Sequence, residues 1–368
     1  MSSRKLATIR RVASVEPIEG ADKIEVATVD SWQVVVGKNT VEAGDFVVYF
    51  EIDSWIPTTL INLTRTGEPK KYNEVPGERL KTIKLRGVLS QGLIMNFEEI
   101  SKVIPDFESR FTELIGPDGA IGGLDVTEIL GIMKWELPSS MGSFRTKGNF
   151  PSFIPKTDQE RIQNLTRRFD EIKKGRWEVT EKYDGSSMTV YRMIEDSKVY
   201  EGVCSRNLDL KMEAEDPKDP NEAPVINSFW EIAIREKLLE KIRESGLNVA
   251  LQGELVGVKI NNNIYKLTSR DFWLFDIYDI DAGRYYTATE RQAFAEKYGI
   301  KHVPILFNDY QIPEDFTISD LLKFAEGPSV MNAKTEREGL VFKRIDREKF
   351  CVESFKAISN KYLLKNDG

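Results

Sequence analysis

The chain has 368 residues, 40% of them hydrophobic and 30% charged, which is ordinary globular composition at a length that supports two separate cores. Lys and Arg number 52 against 59 Asp and Glu, and the formal net charge of −7, taken as a sum, argues against a general polyanion binder. A single histidine, His302, and two cysteines, Cys204 and Cys351, exclude a Cys/His zinc cluster, a disulfide framework and most histidine-based triads, so all three are assigned to packing or surface.

The first fifteen residues carry Arg4, Lys5, Arg10 and Arg11 and no acid, as a transit peptide would, but residues 8–12 alternate like a first strand and are read as one. Short strands are predicted at 23–29, 33–36 and 45–52 and from Ile94 onward, a spacing that favours a small barrel or sandwich. Arg79, Lys81, Lys84 and Arg86 form a basic cluster in this half. Turn formers without periodicity follow from about residue 106, and the predicted organisation is a domain over 1–120, a linker over 121–150 and a second domain over 151–368.

Beyond Pro151, strands predicted at 177–183, 188–193, 249–256, 272–280 and 339–345 alternate with helical stretches. The clearest helix covers about 225–245, where Ile226, Phe229, Trp230, Ala233, Leu238 and Ile242 recur at helical spacing and Gly246 stands at the stop. Charge is uneven: residues 209–223 hold six acids and two lysines, read as an exposed acidic loop, whereas 334–365 hold nine Lys or Arg and five acids. A further basic cluster comprises Arg161, Arg167, Arg168, Lys173, Lys174 and Arg176. No apolar run approaches the roughly 18–20 residues of a membrane-spanning helix. With free thiols and no signal peptide, this points to an intracellular location, cytoplasmic or nuclear, with mitochondrial import the less favoured alternative.

Neither GxxxxGK[ST] nor GxGxxG occurs, so any nucleotide site must be built another way. Glu181-Lys182-Tyr183-Asp184-Gly185-Ser186-Ser187 puts a lysine at a strand end before an Asp-Gly turn, where rigid neighbours can fix a nucleophilic amine. Downstream follow Ser205-Arg206-Asn207, Gly253-Glu254-Leu255-Val256-Gly257, Phe272-Trp273-Leu274-Phe275-Asp276, Glu338-Gly339-Leu340-Val341-Phe342-Lys343 and Ser354-Phe355-Lys356, with Lys361 beyond. In that order they resemble the covalent nucleotidyltransferase superfamily of ATP-dependent ligases and mRNA capping enzymes, over about 150–365, and in form they are similar to the RNA ligases. Leu85-Arg86-Gly87-Val88-Leu89-Ser90-Gln91-Gly92, preceded by Ile18-Glu19-Gly20-Ala21-Asp22-Lys23-Ile24, resembles the OB-fold tRNA-binding domain of synthetase-associated proteins. An OB barrel ahead of a ligase domain, with the chain ending soon after the last lysine motif, resembles the RNA ligase 5 family of nick-sealing enzymes over nearly the whole chain.

The resemblance implies an α+β fold, an OB-fold β-barrel followed by an adenylyltransferase domain of ATP-grasp-like antiparallel sheets with helices. It implies an ATP-dependent RNA ligase in which Lys182 attacks ATP, releases pyrophosphate and holds AMP; AMP passes to an RNA 5′-phosphate, and a 3′-OH displaces it. An amine with an unperturbed pKa of about 10.4 is well under 1% neutral near pH 7. Magnesium or manganese, with Lys343 and Lys356, is therefore expected to depress the Lys182 pKa and to neutralise the α-phosphate. Glu338 is assigned to the metal, directly or through water, while Asp184 either holds the metal's waters or caps the turn at Gly185.

By the same resemblance Glu254 matches a ribose-hydroxyl acceptor, Glu181 a reader of the adenine edge, and Arg206 a group near the phosphates or the 3′-OH end. Phe275 either stacks on adenine or is a plain member of a buried strand. Many relatives carry two closely spaced lysines in the last motif; here Ala357 and Ile358 follow Lys356, which leaves Lys361 as an RNA phosphate contact or an ordinary surface residue. Arg79, Lys81, Lys84 and Arg86 are expected on RNA phosphates, unless the barrel only packs against the ligase domain. The expected partner is RNA with 3′-OH and 5′-phosphate ends in a nicked duplex, with no membrane and the chain acting as a monomer. A capping-type guanylyltransferase is disfavoured by the missing C-terminal OB domain, and a non-catalytic RNA-binding protein by the presence of Lys182, Glu254, Glu338 and Lys356 together.

Overall fold

The computed structural model describes residues 4–64, 66–115, 123–136, 145–212, 226–346 and 351–366, with backbone alone at 112–115. The amino-terminal half runs β1 (Ala7–Pro17), β2 (Ile24–Val29), β3 (Trp32–Gly37), β4 (Phe46–Phe50), β5 (Ser54–Pro57), β6 (Lys70–Tyr72) and β7 (Val75–Arg79). It continues with β8 (Thr82–Leu85), β9 (Val88–Gln91), β10 (Leu93–Asn96), α1 (Phe97–Ser101), α2 (Phe107–Ile115), β11 (Leu124–Asp125) and β12 (Met133–Lys134). Residues 8–12 thus belong to a strand. A curved antiparallel sheet has the order β10-β4-β1-β2-β3. A register shift between Val12 and Ser14 lets the first part of β1 pair with β4 and its second part with β2, which bends the sheet towards a barrel.

Both faces of that sheet are apolar. Ile9, Val48, Phe50 and Met95 pack under α1 and α2 and against Val126, Leu130 and Ile132, so part of the stretch predicted as a linker completes this core. Its apolar residues follow neither period, so no element signalled their burial. On the other face, Val12, Val29, Trp32, Val47 and Tyr49 are joined by Ile358 and Leu363 from the far end of the chain. A second small sheet, β12-β5-β7-β6, stands beside the first. Its β6–β7 turn carries Asn73 and Glu74 at φ 47° and 64°, the two left-handed residues that a tight hairpin requires.

The remainder comprises β13 (Thr146–Asn149), a 3-10 turn (Ile162–Arg168), α3 (Phe169–Lys174), β14 (Arg176–Lys182), β15 (Ser186–Glu195), β16 (Lys198–Cys204), β17 (Leu208–Leu210), α4 (Ser228–Arg235) and α5 (Leu238–Ser245). It ends with β18 (Val249–Val256), β19 (Asp271–Asp279), β20 (Arg284–Tyr285), α6 (Ala288–Lys297), β21 (Ile305–Gln311), α7 (Ile318–Phe324), β22 (Gly339–Arg344), β23 (Ser354–Ile358) and α8 (Asn360–Asn366). Two antiparallel sheets, β13-β17-β16-β15-β18-β19-β20 and β21-β14-β22-β23, make this half. The α+β arrangement with an amino-terminal curved sheet is the expected fold class, and among the described residues no helix is long and apolar enough to cross a membrane.

The predicted helix over 225–245 is two helices, with Lys237 left-handed at φ 53° between them. At about 100° per residue, the stripe of Phe229, Trp230 and Ala233 and that of Leu238, Leu239 and Ile242 fall on nearly opposite sides of one continuous helix. Breaking the helix turns both stripes into the same core. Most of the predicted acidic loop, residues 213–225, lies outside the described residues; Asp209 is buried, and the Tyr191 hydroxyl donates to it at 2.7 Å.

The two halves are joined by specific bonds. Trp32 Nε1 donates to Asn164 Oδ1 at 2.8 Å, the Ser31 and Thr166 hydroxyls meet at 2.8 Å, and Gln91 Nε2 donates to Asn360 Oδ1 at 3.2 Å.

Candidate active site

A cavity of about 960 Å³ lies between the two halves. Lys182 ends β14 opposite Gly339 of β22, so Glu338 stands beside it, with Lys182 Nζ 2.7 Å from Glu338 Oε1. A Cβ on Gly339 would sit 2.2 Å from Ala357 O, so only glycine lets β22 approach β23 there. The Asp184-Gly185 turn is equally tight: a Cβ on Gly185 would lie 2.3 Å from Leu255 O. That approach sets β15 against β18 with Ser187 opposite Glu254, which brings Glu254 to the same end of the cavity.

This end is rich in carboxylates. Burial alone would lower the Lys182 pKa, but Glu338, Glu254 and Asp184 outweigh it and hold the amine above its ordinary value. Burial pushes Glu254 up to about 8 against the pull of Lys182, with Glu338 and Asp184 adding to the rise. Glu338 is raised for the same reason, burial first. The expected depression of the Lys182 pKa belongs to a divalent metal together with Lys343 and Lys356; in the protein alone carboxylates are the dominant neighbours of Lys182.

The adjoining end, near enough for Lys356 to act on both Lys182 and Glu338, is richer in cations. Lys356 on β23 is buried, and burial, then Arg4 and Arg161, lower its pKa to about 7. Arg161 pairs alongside Lys356 in a parallel bridge and reaches Glu51 at 3.2 Å and Asp53 at 3.3 Å, with Nη1 buried and unpartnered. Arg4, from the same amino-terminal half as Glu51, pairs with it as well. Lys134 and Arg206 stand on this side too. Arg206 is bound to Glu136 at 3.1 Å and to Asp158.

Phe275 reaches the cavity through a bulge. Gln252 pairs with Asp276 and Gly253 with Leu274, which leaves Phe275 as the extra residue of β19, turned away from the core that takes Phe272 and Leu274. Its freed carbonyl accepts from Lys343 Nζ, which also donates to Asp276 Oδ1 at 2.7 Å. Lys343 lines the cavity, but its ammonium is thus engaged in holding the bulge. Burial first lowers its pKa to about 8, Asp276 opposing and Arg291 assisting. Behind it Arg291 pairs with Glu178 and donates to His302 Nε2 at 2.9 Å, a purely structural use of the single histidine. Glu181 is buried; its Oε2 accepts the Val330 N–H at 2.8 Å and its Oε1 has no partner.

Thus Lys182, Asp184, Glu181, Arg206, Glu254, Phe275, Glu338, Lys343 and Lys356 all line one cavity. Lys361 does not, being exposed on α8 and paired with Glu326 at 2.9 Å. Of the amino-terminal cluster, Arg79 is largely buried, held by Asp53 of the cavity lining at 2.6 Å with its guanidinium 3.9 Å over the Trp135 ring. Lys84 and Arg86 are exposed and Lys81 half-buried on the β8–β9 hairpin, whose turn is the left-handed Arg86-Gly87 pair. Sequence reasoning missed Arg4, Asp53, Lys134 and Arg161 as cavity residues. Arg4 and Arg161 stood out only as members of charge clusters.

A family model described as RNA ligase matches residues 175–358, and one described as an OB-fold domain matches 6–97. No curated protein matches the chain. Among solved structures, the chain is similar to that of the Naegleria gruberi RNA ligase with PPi, at 42% identity and TM-score 0.83, with 99% of each chain covered. A mutant of the same enzyme with AMP and Mn gives 43% and 0.81, again covering 99% of each. Another mutant, with ATP and Mn, gives 43% and 0.81 over 100% of this chain and 99% of that one.

Proposed function

The chain belongs to the RNA ligase family, and from that premise we propose that it seals RNA 3′-OH and 5′-phosphate ends at nicks in duplexes, using ATP and a lysyl-AMP intermediate. The observation that carries the reading is the convergence of Lys182, Glu254, Phe275, Glu338 and Lys356, from five separate strands and strand ends, on one cavity.

Lys182 Nζ, once deprotonated, attacks the α-phosphorus; an N–P bond forms, the P–O bond to the β-phosphate breaks, and pyrophosphate leaves. An RNA 5′-phosphate oxygen then takes the AMP and returns the amine, and a 3′-OH displaces AMP to form the phosphodiester. These are in-line transfers, so positioning and charge neutralisation carry most of the catalysis. Phe275 offers a ring face to adenine, Glu181 its open oxygen to the base edge, and Glu254 a carboxylate to the ribose. Lys356, Arg4, Arg161 and Lys134 form the end where the β- and γ-phosphates fit, and Arg206 lies where an RNA end can reach.

The residues suit a divalent cation. Glu338, Glu254 and Asp184 crowd one lysine, an excess of carboxylate that suits a divalent cation. Glu338, assisted by Asp184, would hold magnesium or manganese, which would supply positive charge to lower the amine's pKa and stabilise the α-phosphate. Exposed Lys84 and Arg86, with half-buried Lys81, are the cations of the β8–β9 hairpin offered to RNA phosphates, and the chain is proposed to act as a monomer.

The test is covalent labelling. Incubation with α-labelled ATP and magnesium leaves label on the denatured protein, and Lys182→Ala abolishes it, a loss of more than about 10³-fold expected for removal of a nucleophile. Label that survives Lys182→Ala sinks the mechanism, and preference for GTP turns the reading to a capping enzyme.

A further inference from the structure

Residues 258–267 belong to none of the assigned motifs, yet Asn261 and Tyr265 lie against the turn that follows Lys182. Asn261 Nδ2 donates to Asp184 Oδ1 at 2.8 Å and to Gly185 O at 2.7 Å, which uses both hydrogens of its amide. The Asp184 N–H donates to the Tyr265 hydroxyl at 2.7 Å. Side chain and backbone of Asp184 are therefore both held by one remote segment.

The segment is built to hold. The Asn263 amide closes on Leu267 in both directions, at 2.9 and 3.1 Å. Asn332 Nδ2 donates to Tyr265 O at 3.1 Å and Thr335 Oγ1 to Ile264 O at 2.9 Å, which ties the segment to the stretch leading into Glu338. Tyr265 is buried, with its ring 5.3 Å from that of Tyr183. Lys259, Asn261, Asn263 and Lys266 all have φ between 42° and 60°, a concentration of left-handed non-glycine residues that persists only where surroundings over-determine it. Asn261 itself is exposed, so its two bonds replace bonds to water and add little stability; what they supply is orientation.

We infer that Asn261 and Tyr265 are positioning residues for nucleotidyl transfer, holding Asp184 and the turn after Lys182 in fixed relation to Glu338. This rests on the ligase reading above, in which Asp184 serves a divalent cation.

The experiment measures Mn²⁺ binding to the nucleotide-free protein by electron paramagnetic resonance of free Mn²⁺, alongside the single-turnover rate of AMP capture. Asn261→Gly keeps the left-handed backbone and removes the amide. Binding is expected to weaken about 10-fold, the low end for a partner that orients a metal-serving group, with the thermal midpoint unchanged. Asn261→Ser, whose hydroxyl is too short to span both acceptors, weakens it likewise, and Tyr265→Phe gives a smaller loss. In an Asp184→Asn background, Asn261→Gly adds nothing. Wild-type Mn²⁺ affinity in both Asn261 variants, equal weakening in the Asp184→Asn background, or no Mn²⁺ binding by the wild type overturns the inference. Failure of the wild type to capture AMP overturns the ligase reading instead and leaves the binding cycle legible.

Discussion

The two ends of the cavity hold lysines that are driven in opposite directions. Lys182 and Lys356 sit on β14 and β23 of one sheet, with only β22 between them, and burial acts on both to lower the pKa. What differs is the sign of the neighbours. Three carboxylates reverse the effect at Lys182, whereas Arg4 and Arg161 add to it at Lys356 and bring it to about 7. Burial alone therefore does not fix the state of a lysine; the charges that share its pocket do. The Lys356 end also holds Glu51, Asp53, Glu136 and Asp158, but its small excess of cations suits a polyphosphate beside a cation taken at the carboxylate-rich Lys182 end.

The comparison breaks first at the basic end. With its pKa near 7, Lys356 is protonated below that value and neutral above it, and an anion prefers the protonated form. Pyrophosphate affinity should fall above pH 7, by at most about tenfold per pH unit, and binding at pH 8 should take up a proton. Lys356→Met should weaken binding about 10- to 100-fold, the range for a lost hydrogen bond to a charged group, and flatten the pH dependence. Calorimetry in buffers of different ionisation enthalpy reads both. Proton uptake that persists in Lys356→Met would reassign the titrating group.

At the acidic end the expected effect is on stability. The Glu254 carboxyl titrates near 8 in the folded protein, and near 4.3 in an unfolded chain. Between those values the native state keeps a proton that the unfolded state has lost, so stability falls as pH rises through the window. Glu254→Gln removes this dependence. Its melting temperature should exceed that of the wild type at pH 8.5 by about 2–4 °C, the shift that ~1 kcal/mol gives in a domain of this size, and match it near pH 5, while AMP capture declines. Unfolding followed by circular dichroism at the two pH values checks the sign.

The acidic end was largely legible in the sequence, and the basic end was not. Lys182, Glu254 and Glu338 lie in short motifs whose strands pair with one another, so a local pattern carried each of them into the cavity. Arg4 and Asp53 reach Arg161 and the Lys356 end only because the amino-terminal half docks on the other, while Arg161 itself meets Lys356 across nearly two hundred positions of its own half, and no local period encodes either contact. Arg79 misled for the same reason: a basic cluster in sequence does not say which member turns inward to Asp53. The bulge at Phe275 was hidden in an apolar strand, since a one-residue register shift leaves no mark on composition. The boundary between the halves blurs likewise, because Ile358 and Leu363 close the amino-terminal core; removing residues 1–120 would uncover them, so point substitutions test the RNA role of that half more cleanly.

The smallest expected effect sharpens the contrast between Lys356 and its neighbour five residues on. Lys361 is 68% exposed and pairs with Glu326 at 2.9 Å on the outer side of α8. An exposed pair of this kind contributes little to stability, and no carboxylate of the Lys182 cluster touches it. Lys361→Ala should therefore leave AMP capture within about twofold of wild type, a size set by that weak pairing. A phosphate contact, by contrast, shows in sealing rather than capture: the slope of the logarithm of RNA affinity against that of salt would shrink by about one on losing the charge. An unchanged slope places Lys361 among ordinary surface residues and leaves Lys356 as the lysine of the final motif that serves the cavity.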